Sequence, residues 1–130
     1  MGNPAAKMGD QVVGQDIHIV MVPSPGGPVP TPMAFPFAGI IGDGCCQTVL
    51  IEGKPAATAG SAARNTPPHL APSGQFQVEP TNTAQILPSA SRVLIGGKPA
   101  ARAGDKAQTC NDPAPLPVGT VQAVGTVFIG

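Results

Sequence analysis

The chain contains two histidines, His18 and His69, and three cysteines, Cys45, Cys46 and Cys110. Imidazole nitrogen and thiolate sulfur are the donors that zinc and other borderline metals prefer, so these residues carry the most specific chemistry in the sequence. Three of them stand at related distances from a recurring corner. His18 follows Asp10 by eight residues, His69 follows Ser61 by eight, and Cys110 follows Asp105 by five. If the three corners surround one axis, His18, His69 and Cys110 converge and supply three ligands to a structural Zn2+, one per chain. The fourth position is open, with Cys45, Cys46 or a water as candidates. Read alone, Cys45 and Cys46 are two small buried thiols. A hydrolase would need a carboxylate base beside the metal. The carboxylates Asp10, Asp16, Asp43, Glu52, Glu79, Asp105 and Asp112 are scattered, and no HExxH, nucleophile elbow or phosphate-cradling loop occurs. The expectation is a metal site without catalysis, with a zinc-dependent hydrolase the less favoured reading.

The corners belong to a repeat. Residues 49–61, VLIEGKPAATAGS, align with residues 93–105, VLIGGKPAARAGD, with ten of thirteen positions identical. A third copy is split between the ends of the chain, NPAAKMGD at 3–10 and VFIG at 127–130. Pro4, Pro55 and Pro99 open equivalent segments 51 and 44 residues apart. A repeat cut in mid-unit predicts a closed ring with adjacent termini, whereas an open solenoid would carry whole units and caps. In each unit Val-x-Ile reads as a short strand, Gly-Lys-Pro as a tight turn, and the closing Asp10 and Asp105 as turn caps. Asp16 to Val22 alternates and is β-branched, and Thr120 to Ile129 is similar. Pro23 to Pro36, Thr66 to Pro80 and Asp112 to Pro117 read as rigid, proline-rich connectors.

Composition narrows the classes. Gly 17 and Pro 17 make about a quarter of 130 residues, near the range of low-complexity chains. Yet 42% of residues are hydrophobic and only 11% charged, the opposite of a disordered composition. An all-β fold of short strands, a single domain over residues 1–130, follows. Seven basic residues against seven acidic ones, with four Phe and no Trp or Tyr, leave neither the charge nor the stacking platform of a nucleic-acid binder. No apolar run approaches a membrane span, the first residues do not read as a secretory signal, and Lys7 stands where a myristoylation site would want Ser or Thr. The reading expects a protein made in the cytoplasm with reduced thiols.

NPAAKMGD and GKPAARAGD, with GKPAATAGS departing at Thr58 and Ser61, resemble the PAAR-repeat family over essentially the whole chain. The resemblance implies a small β cone that caps the trimeric spike of a contractile injection machine, such as a type VI secretion system or a related phage-tail-like particle. It implies one tip per spike trimer, a zinc ion near the apex held by His18, His69 and Cys110, transient contact with the target membrane, and release outside the producing bacterium. Relatives often carry a further histidine about where Phe35 stands. The base of such a cone must be apolar and strand-compatible, and Val49, Ile51, Val93, Ile95, Val127 and Ile129 are the candidates. The tip is expected to be monomeric and bare, with any effector or adaptor attached through Pro23–Pro36 or Thr66–Pro80. A free-standing metal-binding or adhesive module is the alternative; it would leave the matched apolar strands uncovered.

Overall fold

The computed structural model describes residues 2–130 and is all-β. The strands are β1 (Asn3–Pro4), β2 (Gln11–Val22), β3 (Val29–Asp43), β4 (Cys46–Ile51), β5 (Lys54–Ala56), β6 (Ala62–Asn65) and β7 (Gln75–Phe76). They continue as β8 (Thr83–Ile86), β9 (Leu94–Ile95), β10 (Lys98–Pro99), β11 (Lys106–Thr109), β12 (Leu116–Gln122) and β13 (Phe128–Ile129). Among the described residues, no helix is long and apolar enough to cross a membrane.

Six strands close a small antiparallel barrel in the order β2-β3-β6-β8-β11-β12, with β12 returning to β2 through Thr120↔Val13 and Gln122↔Gln11. A barrel this narrow admits little side-chain volume. Its interior is accordingly filled by Val12, Phe37, Ile41, Ile86 and Val121 interleaved with Ala63, Ala84 and Ala107. The closing seam is tighter still. A Cβ on Gly14 would lie 2.8 Å from the Val118 carbonyl oxygen, and one on Gly119 2.8 Å from Thr109 Cγ2.

Beside the barrel lie three matching two-stranded units, the hairpins β4-β5 and β9-β10 and the pair β13-β1, a hairpin open at its turn, and their registers match: Leu50↔Pro55, Leu94↔Pro99 and Phe128↔Pro4. The last of these joins the two ends of the chain. The Pro-Ala-Ala segments then bond to one another in a cycle: Ala6 N–H to Ala101 O (2.9 Å), Ala101 N–H to Ala57 O (3.1 Å), Ala57 N–H to Ala6 O (3.0 Å). In each segment the first alanine (Ala5, Ala56, Ala100) packs with Ile51, Ile95 and Ile129, and the second (Ala6, Ala57, Ala101) with the barrel core. The corners behave as capped turns. Asp10, Ser61 and Asp105 accept the N–H of Lys7, Thr58 and Arg102 at 3.0, 2.9 and 2.8 Å.

Two local expectations shift. The hairpin turns fall on Glu52-Gly53 and Gly96-Gly97, before the lysines, because both turn residues take positive φ (53° and 83°; 60° and 82°), as a two-residue turn that follows the strand twist requires. Glu52 tolerates this while its carboxylate accepts the Thr126 N–H and hydroxyl at 2.6 and 3.0 Å. Most of Pro23–Pro36 is strand rather than connector. Pro30, Pro32 and Pro36 stand opposite Met21, Ile19 and Gln15. They share the parity of Ala38, whose N–H points away from β2 to Asn65 Oδ1. A residue without an N–H loses no ladder bond there.

Candidate metal centre

β2 is inside-out at its middle. Ile17 is 40% exposed, while Asp16 and His18 turn into the barrel and are 0% and 1% exposed. Strand alternation places these two polar side chains on the same inward face. Asn65 ends β6 and His69 follows four residues later across the Pro67-Pro68 turn, also buried. Cys110 directly follows β11 and is buried. One ligand atom from each of Asp16, His18, His69 and Cys110 lies within 4.8 Å of the others.

Asp16 Oδ2 is the hub. It lies 2.8 Å from His69 Nε2, 3.3 Å from Cys110 Sγ and 3.9 Å from His18 Nε2. Bonds of the zinc–nitrogen, –oxygen and –sulfur lengths separate the corners of a tetrahedron by about 3.3–3.8 Å, so side-chain adjustments would bring the four atoms onto one. Asp16 Oδ1 is anchored by the Thr109 hydroxyl and the Asn111 amide. On the far side of His69, the Asn65 amide nitrogen is 3.2 Å from Nδ1. Three phenylalanines wall the site: Phe35 stands 5.8 Å from the His18 ring and 5.3 Å from that of His69, Phe76 5.8 Å from His18, and Phe37 6.2 Å from His69. Phe35 therefore faces both imidazoles.

His18 supplies the test of fit. Both of its ring nitrogens are buried and neither has a hydrogen-bond partner among the described residues. A neutral imidazole carries one donor and one acceptor, and leaving such groups unmade in the interior costs about 1–3 kcal/mol. A cation beside Nε2 satisfies the acceptor. Burial holds the His18 pKa below its ordinary 6.5, favouring the neutral, ligating form. Burial, followed by the Asp16 charge, holds the Cys110 thiol above its ordinary 9.0, so a metal must displace that proton to bind sulfur. Asp16, His18, His69 and Cys110 are a donor set that could hold a metal ion.

The structure thus brings His18, His69 and Cys110 together and adds Asp16, whose inward parity with His18 was the only trace in the sequence. Cys45 and Cys46 lie elsewhere: Cys45 packs against the barrel core and Cys46 against the isoleucine cluster, its thiol 3.3 Å from the Thr48 hydroxyl. Of the six candidate base residues, Val49, Val93 and Val127 are exposed at 37%, 42% and 40%. Ile51, Ile95 and Ile129 are buried, because the short strands are regular only from Leu50, Leu94 and Phe128 onward and each isoleucine is the inward residue. Leu50, Leu94 and Phe128, which are not among the six candidates, are the most exposed large apolar residues of the three hairpins, at 60%, 62% and 59%. Neither a scan against family models nor searches among curated proteins and solved structures found a match for this chain.

Proposed function

We propose that this protein is the non-enzymatic tip of a contractile injection apparatus, one copy capping and sharpening a trimeric spike. One observation carries the reading. Three hairpins of equal register leave the same two positions uncovered to the same extent: Val49 and Leu50, Val93 and Leu94, Val127 and Phe128. A single chain that repeats one apolar edge three times matches the end of a threefold partner, whose own unpaired strand ends need a cover. The cyclic bonding of Ala6, Ala57 and Ala101 supports a pseudo-threefold cone above that face.

The ion is zinc in this proposal, held by His18, His69 and Cys110 with Asp16 as fourth ligand. Its role is structural: it pins strands whose core is more than half alanine, where burial alone contributes little. Such a tip is made in the bacterial cytoplasm, assembles on its spike, meets the target envelope on firing, and carries effectors or adaptors on its proline-rich surface. Native mass spectrometry of the chain mixed with the trimeric spike of its own apparatus tests this. A complex of one tip and three spike chains is expected, lost in the Leu50→Asp, Leu94→Asp, Phe128→Asp variant. A wild-type chain that never binds the trimer rules the reading out.

A further inference from the structure

We infer that Asp112 is the outer carboxylate of the metal centre: it orients His18 toward the other ligands and, with Glu79, lines the route by which a divalent cation reaches them. This rests on the metal reading above. The two nitrogens of His18 face two different carboxylates. Nε2 is 3.9 Å from Asp16 Oδ2, and Nδ1 is 3.6 Å from Asp112 Oδ2. When one imidazole nitrogen binds a metal, the other usually carries a hydrogen directed at a carboxylate or carbonyl, which sets the ring orientation and raises its basicity. Asp112 is the carboxylate placed to receive it.

Asp112 is itself held firmly. Its side chain is 9% exposed, its Oδ2 accepts the Ile19 N–H at 2.8 Å, and its own N–H donates to Ile17 O at 2.9 Å. With Asn111 Oδ1, which accepts the Ile17 N–H at 2.7 Å, it completes the free edge of β2 on both sides of His18. An asparagine would serve that edge as well, since an amide oxygen also accepts an N–H. The negative charge is what edge pairing leaves unexplained.

A cavity of about 190 Å³ is lined by His18 and Cys110 together with Asp112, Pro113, Pro115 and the exposed Glu79. Neither lysine nor arginine lines it. A narrow cleft bearing one sign of charge raises the local concentration of the opposite ion and speeds its association in a salt-dependent way.

The test mixes the metal-free chain with Zn2+, and separately with Co2+ for its thiolate absorption, at several ionic strengths. Asp112→Asn is expected to weaken Zn2+ binding about 10- to 100-fold, with the metal-free melting temperature unaltered and the salt dependence of association reduced. Asp112→Glu should recover part of the affinity. Glu79→Gln should slow association while leaving dissociation as in wild type. Wild-type affinity and salt dependence in Asp112→Asn overturn the assignment. So does a parallel loss of metal-free stability with unaltered salt dependence, which makes Asp112 an edge anchor only. A wild-type chain that takes up no metal instead removes the metal reading and this inference with it.

Discussion

His18 sits at the centre of the site's energetics because its nitrogens are the buried side-chain atoms left without a hydrogen bond among the described residues. Its pKa is depressed by burial. As pH falls through the ordinary 6.5, the unfolded chain takes up a proton before the folded one, so the metal-free fold loses stability from there down to the lowered folded value. At the alkaline end Cys110 acts oppositely. Its raised pKa means that above the ordinary 9.0 the unfolded chain releases the thiol proton first, and folding stability falls again. Thermal melts of metal-free protein should therefore show a maximum between these limits. With metal bound, sulfur is already a thiolate, so stability rises toward pH 9 and the alkaline loss disappears. His18→Phe should abolish metal uptake, remove His18's contribution to the acid loss, and leave the metal-free fold at least as stable as wild type. The aromatic neighbours Phe35 and Phe76 receive such a ring, and two unpaired nitrogens are gone. A metal-free His18→Phe chain much less stable than wild type would show that those nitrogens do find partners.

At the scale of the strands, the site depends on how tightly the barrel closes. Gly119 lets β12 approach β11 closely enough for Thr109 to lie beside it, and the Thr109 hydroxyl anchors Asp16. A side chain at Gly119 meets Thr109 Cγ2 at 2.8 Å, Val12 Cγ1 at 2.9 Å and the Ala107 carbonyl at 3.1 Å. Gly119→Val should thus cost about 1–3 kcal/mol by overpacking and weaken metal binding through Thr109 and Asp16. Calorimetry with and without Zn2+ reads both effects, and a loss confined to stability would disconnect seam from site. This closure also marks where sequence reading stops. The repeat, the capped corners and the convergence of His18, His69 and Cys110 were legible, because each rests on residue types at matching offsets. Asp16 was not, since a carboxylate in an alternating strand has no signature of its own until the inward face is known. The strand through Pro30, Pro32 and Pro36 was hidden for a related reason. Proline argues against a strand until one sees that a free edge receives its missing N–H.

On the scale of the whole molecule, the three hairpins make a quantitative demand on any partner. Leu50, Leu94 and Phe128 occupy one register position in three copies and are exposed within three percentage points of one another. If a threefold spike is the partner, each residue meets the same surface on a different spike chain, and the contacts are independent sites on one rigid base. Changes at separated positions without shared partners add nearly linearly. Single substitutions Leu50→Ala and Leu94→Ala should therefore weaken spike binding by factors that agree within about threefold, and the double variant by about their product. Phe128→Ala should weaken it more, because a phenylalanine removes more apolar area from water than a leucine. Titration calorimetry against the trimer measures all four. A partner lacking threefold symmetry would lean on one hairpin. In that case one of the two leucine variants would bind as wild type while the other failed, and the face would belong to a different kind of complex.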